Sequence, residues 1–233
     1  MPSKVLPYAR SMLTVTGGPI TLSTANSPFT SGAASLVTPL NVQMVSSVSS
    51  VNVLSATAGT VIIWAKPTWG TDGTEHDFMS WQSDATHRIR AYKSSANNWA
   101  LESYNGTADT ATVATTHSAN AALVLGFAWD ASNVYASGNS ASFTSAARSH
   151  GTPTIANTVK AYLGSDATPA NYANAWIGGM LFFNVKLTDA QYAAYAAFTR
   201  LPAIGETLGK SMTALWAATK PYIYVSRQTG AVA

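Results

Sequence analysis

The stretch around Trp176–Val185 constrains the fold of this chain more than any other part of its sequence. Both alternating sets of positions in it are apolar or glycine apart from Asn184. A strand with this pattern is covered on both faces, as in a protein built from two packed layers. Gly178 and Gly179 interrupt the pattern, and glycines inside a strand predict a bulge or a close approach of another segment.

A helix is predicted directly after this strand. Thr188 is a preferred N-cap residue, and Gln191 stands three positions later, where it completes a capping box. Leu187 is placed to contact Tyr192 as a hydrophobic staple. Pro202 ends the helix near residue 200, because proline cannot donate a backbone hydrogen bond and restricts the residue before it.

The remaining segments predict short strands separated by turns. Asn105-Gly106 is expected to form the type I′ turn of a hairpin, since both residues tolerate positive φ. The spacing of the strands favours an all-β antiparallel sandwich or jelly roll with one short helix after the last core strand. The strand segments are 60–65, 78–81, 88–92, 99–104, 110–114, 122–129, 134–136 and 159–163.

Several of these segments, taken in order, resemble the laminin G-like, concanavalin A-like lectin/glucanase jelly roll. The resemblance covers about Gly59 to Arg200 and implies the fold. Lectins, glycanases, adhesion modules and viral structural domains share this sandwich, so it implies little about activity. The motifs are Gly59–Pro67, Leu125–Asp130 with Val134–Gly138, Ala161–Ser165, and Ala175–Met180 continuing through Leu187–Gln191.

Three regions are predicted on this basis: an extended, strand-rich arm over residues 1–58, the sandwich over 59–200, and a C-terminal helix with a tail over 201–233. In the last region four large apolar residues recur at helical spacing and predict one apolar stripe. Either the chain's own sandwich or a neighbouring subunit covers that stripe, and a strand at 222–225 could extend a partner's sheet. The stripe consists of Leu208, Met212, Leu215 and Trp216.

Composition limits the possible partners. Only 10% of the 233 residues are charged, against roughly 25% in an ordinary soluble protein, which is a mild indication of assembly into oligomers. The net charge is +3, but among the basic residues only Arg88, Arg90 and Lys93 cluster. We interpret that cluster as the solvated face of one strand, which is too small for nucleic acid.

The sequence gives no indication of export or of membrane insertion. It contains no cysteine, its N-terminal residues lack the apolar core of a signal peptide, and no apolar run reaches the ~18–20 residues of a membrane span. We therefore expect a protein made in the cytoplasm that does not associate with membranes.

No catalytic, metal or cofactor motif is recognisable. A glycanase needs two carboxylates about 5 Å apart on one strand face, and the three glutamates, Glu75, Glu102 and Glu206, are widely separated in sequence. Asp72, Glu75 and Asp77 could bind calcium or simply form a solvated turn. The four histidines are isolated, so zinc is disfavoured. No enzyme activity and no cofactor are expected.

Aromatic side chains remain as candidate ligand-binding residues, because flat rings stack on sugar faces. The candidates are near predicted loops, and packing in the core or at an interface is the alternative role for each of them. They are Trp69, Trp81, Trp99 and Tyr104.

Two classes of function are compatible with these observations. The first is a non-enzymatic structural or interaction subunit of a phage or viral particle, such as a decoration, capsid or tail-associated protein, contacting itself or other particle subunits. The second is a carbohydrate-binding module that uses exposed aromatic residues. The sparse charge and the missing catalytic groups favour the first.

Overall fold

A computed structural model describes residues 54–114, 116–156, 159, 161–167 and 171–198, together with five further strands by their backbone. Within these ranges the chain forms fifteen strands and one helix. In chain order these are β1 (Leu13–Thr16), β2 (Thr21–Ser23), β3 (Ser35–Val37), β4 (Gln43–Ser46), β5 (Gly59–Pro67), β6 (His76–Asp84), β7 (His87–Lys93), β8 (Asn98–Asn105), β9 (Ala108–Ala114), β10 (Leu123–Trp129), β11 (Asn133–Gly138), β12 (Thr144–Ala147), β13 (Ala161–Leu163), β14 (Ala175–Phe183), α1 (Asp189–Ala196) and β15 (Tyr222–Tyr224).

The strands form two antiparallel sheets. A seven-stranded sheet has the order β1-β4-β13-β6-β7-β8-β9, and an eight-stranded sheet has the order β12-β11-β10-β5-β14-β3-β2, with β15 also paired to β14. Strand β5 begins at Gly59. The four strands before it pair within the two sheets, so the N-terminal region contributes strands to both layers.

Strand β14 shows why a run of apolar residues was needed at this position. Opposite β5, the register shifts between Ile177 and Gly179, so Gly178 is the extra residue of the predicted bulge. Ile177 and Met180 consequently both face the other sheet, whereas Leu181 belongs to a second apolar cluster on the outer face. The strand is covered on both sides, as its sequence predicted.

The main core lies between the sheets. Its largest side chains are aromatic, and Trp129 is fully buried there; the others include Phe78, Trp81, Trp99 and Phe127. Trp64 lies instead on the outer face of the eight-stranded sheet, in the cluster that α1 covers. That cluster consists of Ile62, Trp64, Leu181, Phe183, Leu187, Tyr192 and Tyr195.

Helix α1 begins as predicted. Thr188 adopts an extended N-cap conformation, and its side chain accepts a hydrogen bond from the backbone N–H of Gln191 while the Gln191 side chain accepts one from the backbone N–H of Thr188. Leu187 and Tyr192 are both fully buried in the same cluster, in agreement with the staple. The described helix ends at Ala196, a few residues before the predicted end.

Two local predictions need correction. The β8–β9 hairpin is present, but of its two turn residues Gly106 has a positive φ of 75° and Asn105 does not, so the turn is not type I′. The Asn105 side chain instead donates to the carbonyl of His150. At the other end of the chain, β15 pairs with β14 of its own sheet rather than extending a partner's sheet.

Candidate functional site

The outer face of the seven-stranded sheet carries the densest group of charged side chains in the described part of the chain. We call Glu75, Asp77, Arg88, Arg90 and Glu102 the outer-face cluster. The register aligns Arg90 with Ser80 on β6 and with Glu102 on β8, and it aligns Arg88 with Tyr104. Alternation along each strand brings these residues to the side that faces away from the core.

A bulge in β6 places Asp77 on this face. Opposite β7 the register shifts between Asp77 and Met79, so Phe78 is the extra residue. Phe78 and Met79 both pack in the core between the sheets, which leaves Asp77 opposite Tyr92. Bulges commonly redirect a side chain in this way near functional sites.

Asp77 is completely buried, and neither of its carboxylate oxygens has a hydrogen-bond partner. Burial raises the pKa of Asp77 to about 8; Arg90 opposes this shift, while the carboxylates of Glu75, Asp166 and Glu102 add to it. The Asp77 carboxyl therefore carries a proton at neutral pH. Its backbone N–H donates to the carbonyl of Asn171, which ties this part of β6 to the neighbouring loop.

Each arginine of the cluster is paired with carboxylates. Arg88 Nε donates to Glu102 Oε1 at 2.6 Å. Arg90 Nη1 donates to Glu75 Oε1 at 2.8 Å, and Arg90 Nε lies 3.5 Å from Asp77 Oδ1 and 3.9 Å from Glu102 Oε1. Asn171 Nδ2 also donates to Glu75 Oε1 at 2.9 Å. Charge-assisted bonds of this kind fix the planar groups in defined orientations.

Two tyrosine rings extend the cluster. The Arg90 guanidinium lies 3.9 Å from the centroid of the Tyr92 ring, and the Arg88 guanidinium lies 4.7 Å from that of Tyr104. Burial, together with Glu102, raises the pKa of Tyr92. Tyr104 is only half-buried, so its ring remains partly accessible beside Arg88.

These positions correct our interpretation of Arg88, Arg90 and Lys93 as one solvated face. The side chains of Arg88 and Arg90 are 25% and 13% exposed, and Lys93 is fully buried on the opposite side of β7. The period of two along the sequence could have separated them, because Arg88, Arg90 and Tyr92 alternate with inward-facing Ile89 and Ala91.

Lys93 belongs to a second group at one end of the sandwich. Its ammonium contacts Asp72 Oδ1 and donates to the carbonyl of Thr74. His76 Nε2 lies 2.9 Å from Asp72 Oδ2, and its ring stacks on Trp69 with 4.0 Å between centroids. Burial alone would raise the pKa of Asp72. Hydrogen bonds from Lys93, His76 and Thr74 outweigh this effect and hold the pKa well below its usual range.

The three acidic residues considered for calcium thus point in different directions. Asp72 pairs with Lys93, Glu75 pairs with Arg90, and Asp77 is buried beneath the sheet surface. They do not form a common ligand set; residues 71–74, which include Asp72, form an exposed loop, whereas Asp77 is buried. No group of three or more His, Cys, Asp or Glu residues in the described ranges is arranged to hold a metal ion.

The tryptophans predicted to stack on sugars are interior residues. Trp69, Trp81 and Trp99 are 8%, 1% and 2% exposed, and all three pack in the core between the sheets. Trp69 Nε1 also donates to the carbonyl of Ala173. A buried ring cannot stack on a ligand, so of the four candidates the structure leaves Tyr104 alone partly accessible.

The four candidate docking residues in the tail lie outside the described residues. They are Leu208, Met212, Leu215 and Trp216. In the part of the chain that the structure covers, no helix is both long enough and apolar enough to cross a membrane.

Comparison with known proteins identifies the fold. No protein-family model matches the sequence, and no curated protein matches it. Among solved structures, domain 4 of the extracellular arabinanase AbnA from Geobacillus stearothermophilus, in complex with arabinotriose, is similar with a TM-score of 0.63 and 16% identity, covering 79% of this chain and 87% of that one. The fold is a jelly-roll β-sandwich.

Two further similarities are to larger proteins. A structure of botulinum neurotoxin type C, whose cell entry depends on interaction with two ganglioside molecules, gives a TM-score of 0.61 at 8% identity, covering 82% of this chain. The enzymatically active domain of tailspike protein 2 from bacteriophage CBA120 gives a TM-score of 0.61 at 8% identity, covering 85% of this chain. This chain spans 48% of the toxin chain and 32% of the tailspike chain, and such low identities show the fold alone.

Proposed function

We propose that this chain is a non-catalytic interaction module that binds a glycan at the outer-face cluster. The observation that carries this proposal is the arrangement of paired arginines and carboxylates next to a partly accessible tyrosine ring on adjacent strands. A site built on paired strands is held more rigidly than one built on loops, and this rigidity reduces the entropy lost on binding.

The chemistry of the cluster suits a sugar. Carboxylate oxygens accept hydrogen bonds from sugar hydroxyl groups, and guanidinium N–H groups donate to them. The ring of Tyr104 offers an apolar face for the C–H groups of a pyranose or furanose. The arabinotriose bound to the arabinanase domain supports this proposal, because that domain has a similar fold.

The state of the three carboxyl groups supports a binding role without catalysis. Glu75 and Glu102 each pair with an arginine, and Asp77 has no contact with solvent. A glycosidase needs an accessible acid and an accessible carboxylate flanking the scissile bond. Turnover of a β-glucan that Glu102→Gln or Glu75→Gln abolishes would contradict this part of the proposal.

The test of glycan binding compares two surface cations that each lie over a tyrosine ring. Arg88 belongs to the cluster, whereas Lys186 lies 4.5 Å from the Tyr135 ring centroid outside it. A glycan array followed by calorimetry on the strongest hit should show binding that Arg88→Ala weakens by about ten-fold or more, as expected for loss of a charge-assisted contact. Lys186→Ala should leave affinity unchanged. An array without hits, or equal losses in both variants, would refute the proposed site.

A second proposal concerns where the module is used. We infer that it forms part of a phage or viral particle, because only 10% of its residues are charged and the CBA120 tailspike domain has a similar fold. Light scattering on the purified chain should then give the mass of a defined oligomer. A monomer that also fails to bind particle proteins would contradict this role.

A further inference from the structure

We propose that the outer-face cluster selects uncharged saccharides and rejects acidic ones such as sialylated, sulfated or uronic-acid glycans. This inference rests on the proposed glycan-binding function and names the chemical class of its ligand. It follows from how the charges of the cluster are already paired.

The positive charge of each arginine is already balanced by a neighbouring carboxylate. Arg88 Nε is committed to Glu102 at 2.6 Å, and Arg90 is surrounded by Glu75, Asp77 and Glu102 at distances from 2.8 to 3.9 Å. An acidic sugar would have to compete with carboxylates that the fold holds in place. Recognition of an anion usually needs an unpaired guanidinium with its planar pair of donors exposed.

The more accessible partner in the Arg90–Glu75 pair is the carboxylate. The side chain of Glu75 is 27% exposed, against 13% for Arg90. Glu75 Oε1 accepts the bonds from Arg90 and Asn171, and Oε2 lies 3.5 Å from Arg90 Nη2. An approaching ligand therefore meets a negative group, which accepts a hydrogen bond from a hydroxyl group and repels a second carboxylate or a sulfate.

Asp77 is an independent observation on this face, because no hydrogen bond satisfies its buried carboxyl group. Its side chain is fully buried, both carboxyl oxygens lack hydrogen-bond partners, and Arg90 Nε next to it also lacks one. Buried polar groups are nearly always satisfied, and exceptions commonly mark a functional position. Because burial keeps Asp77 protonated at neutral pH, it adds no negative charge to the cluster.

The remaining ionised groups are two arginines and two glutamates, so the cluster is electrically balanced while it stays rich in donors and acceptors. Such a surface gains hydrogen bonds from a ligand with neighbouring hydroxyl groups, which both donate and accept. An acidic ligand would bring a net charge with no opposite charge to receive it. The balance, rather than the number of polar groups, determines the preference.

The experiment uses the full chain on an array of matched glycan pairs that share one core, such as lactose and 3′-sialyllactose, with calorimetry on pairs that bind. The neutral member should bind about ten-fold more tightly or better, the effect expected of one unfavourable charge contact at a partly buried site. Glu75→Gln leaves Arg90 with a neutral partner and should reduce this preference by about three-fold or more.

Asp84→Asn is the matched control. It also removes one negative charge, but Asp84, at the end of β6, pairs with His87 and contacts neither arginine among the described interactions. It should leave the preference unchanged. Acidic members that bind as tightly as neutral ones would overturn the inference while leaving glycan binding intact. Absence of binding to both members would refute the proposed function, and the inference with it.

Discussion

Replacing Gly126 with alanine tests how closely helix α1 packs on the eight-stranded sheet. A Cβ atom at Gly126 would lie 2.5 Å from Cε2 and 2.6 Å from Cζ of Tyr192, whose side chain is completely buried. Ordinary contacts begin near 3.4 Å. The strand cannot yield easily, because Gly126 pairs with Ile62 on one side and Ser137 on the other.

The tyrosine ring, and the helix that carries it, would therefore have to move outward by about 1 Å. Overpacking of this kind costs about 1–3 kcal/mol. Urea unfolding monitored by circular dichroism should show a lower midpoint with an unchanged slope for Gly126→Ala.

A double-mutant cycle separates this clash from a general effect on the strand. Tyr192→Leu alone should destabilise by about 2–4 kcal/mol, because it leaves a cavity. In combination with Gly126→Ala the loss should be smaller than the sum by about 1 kcal/mol or more, since the new methyl group occupies part of that space. Strictly additive effects, or a Gly126→Ala variant as stable as the original, would refute the packing argument.

Two further perturbations test the helix cap and the buried acid. Thr188→Ala removes the acceptor for the Gln191 N–H and should cost about 1 kcal/mol in urea unfolding, so an unchanged midpoint would show that the capping box contributes nothing. For Asp77 the folded-state pKa of about 8 is above the unfolded value, so the folded protein retains a proton that the unfolded chain releases, and stability falls as pH rises from about 4 to about 8. Asp77→Asn should flatten this decline in unfolding free energy, measured at several pH values in that range, and an unaltered slope would contradict the raised pKa.

The sequence predicted those features of the fold that local rules determine. The cap at Thr188 depends on residues three positions apart, and the strand at 175–183 depends on an uninterrupted apolar run. The bulge at Gly178 was also foreseeable from its glycines. The turn at Asn105 was not, because the side chain of Asn105 contacts His150, 45 residues away in sequence.

The candidate site was harder to predict because it depends on register between strands. Arg90 lies opposite Glu102 on the neighbouring strand β8. It lies close to Asp77 only because the bulge at Phe78 reverses the alternation of side chains in β6. Burial of Trp69, Trp81 and Trp99 likewise depends on which face of a strand is turned inward. A one-residue difference in register exchanges the two faces, and sequence alone does not fix it here.

The shared edge of β14 has a consequence for how the protein is made. Trp176 and Ile177 pair with β3, near the start of the chain, and Met180 to Phe182 pair with β15, near its end. At ~5–20 residues per second, a ribosome needs on the order of ten to thirty seconds to synthesise the ~140 residues between β3 and this partner. During that time β14 has not yet been synthesised, so β3 has no strand to pair with in this position. Strand β15 emerges later still. Closure of the eight-stranded sheet therefore has to wait for β14 and brings two segments that are distant in sequence to adjacent positions on one strand, and a nascent chain that stalls before β14 exposes the edges that this step covers.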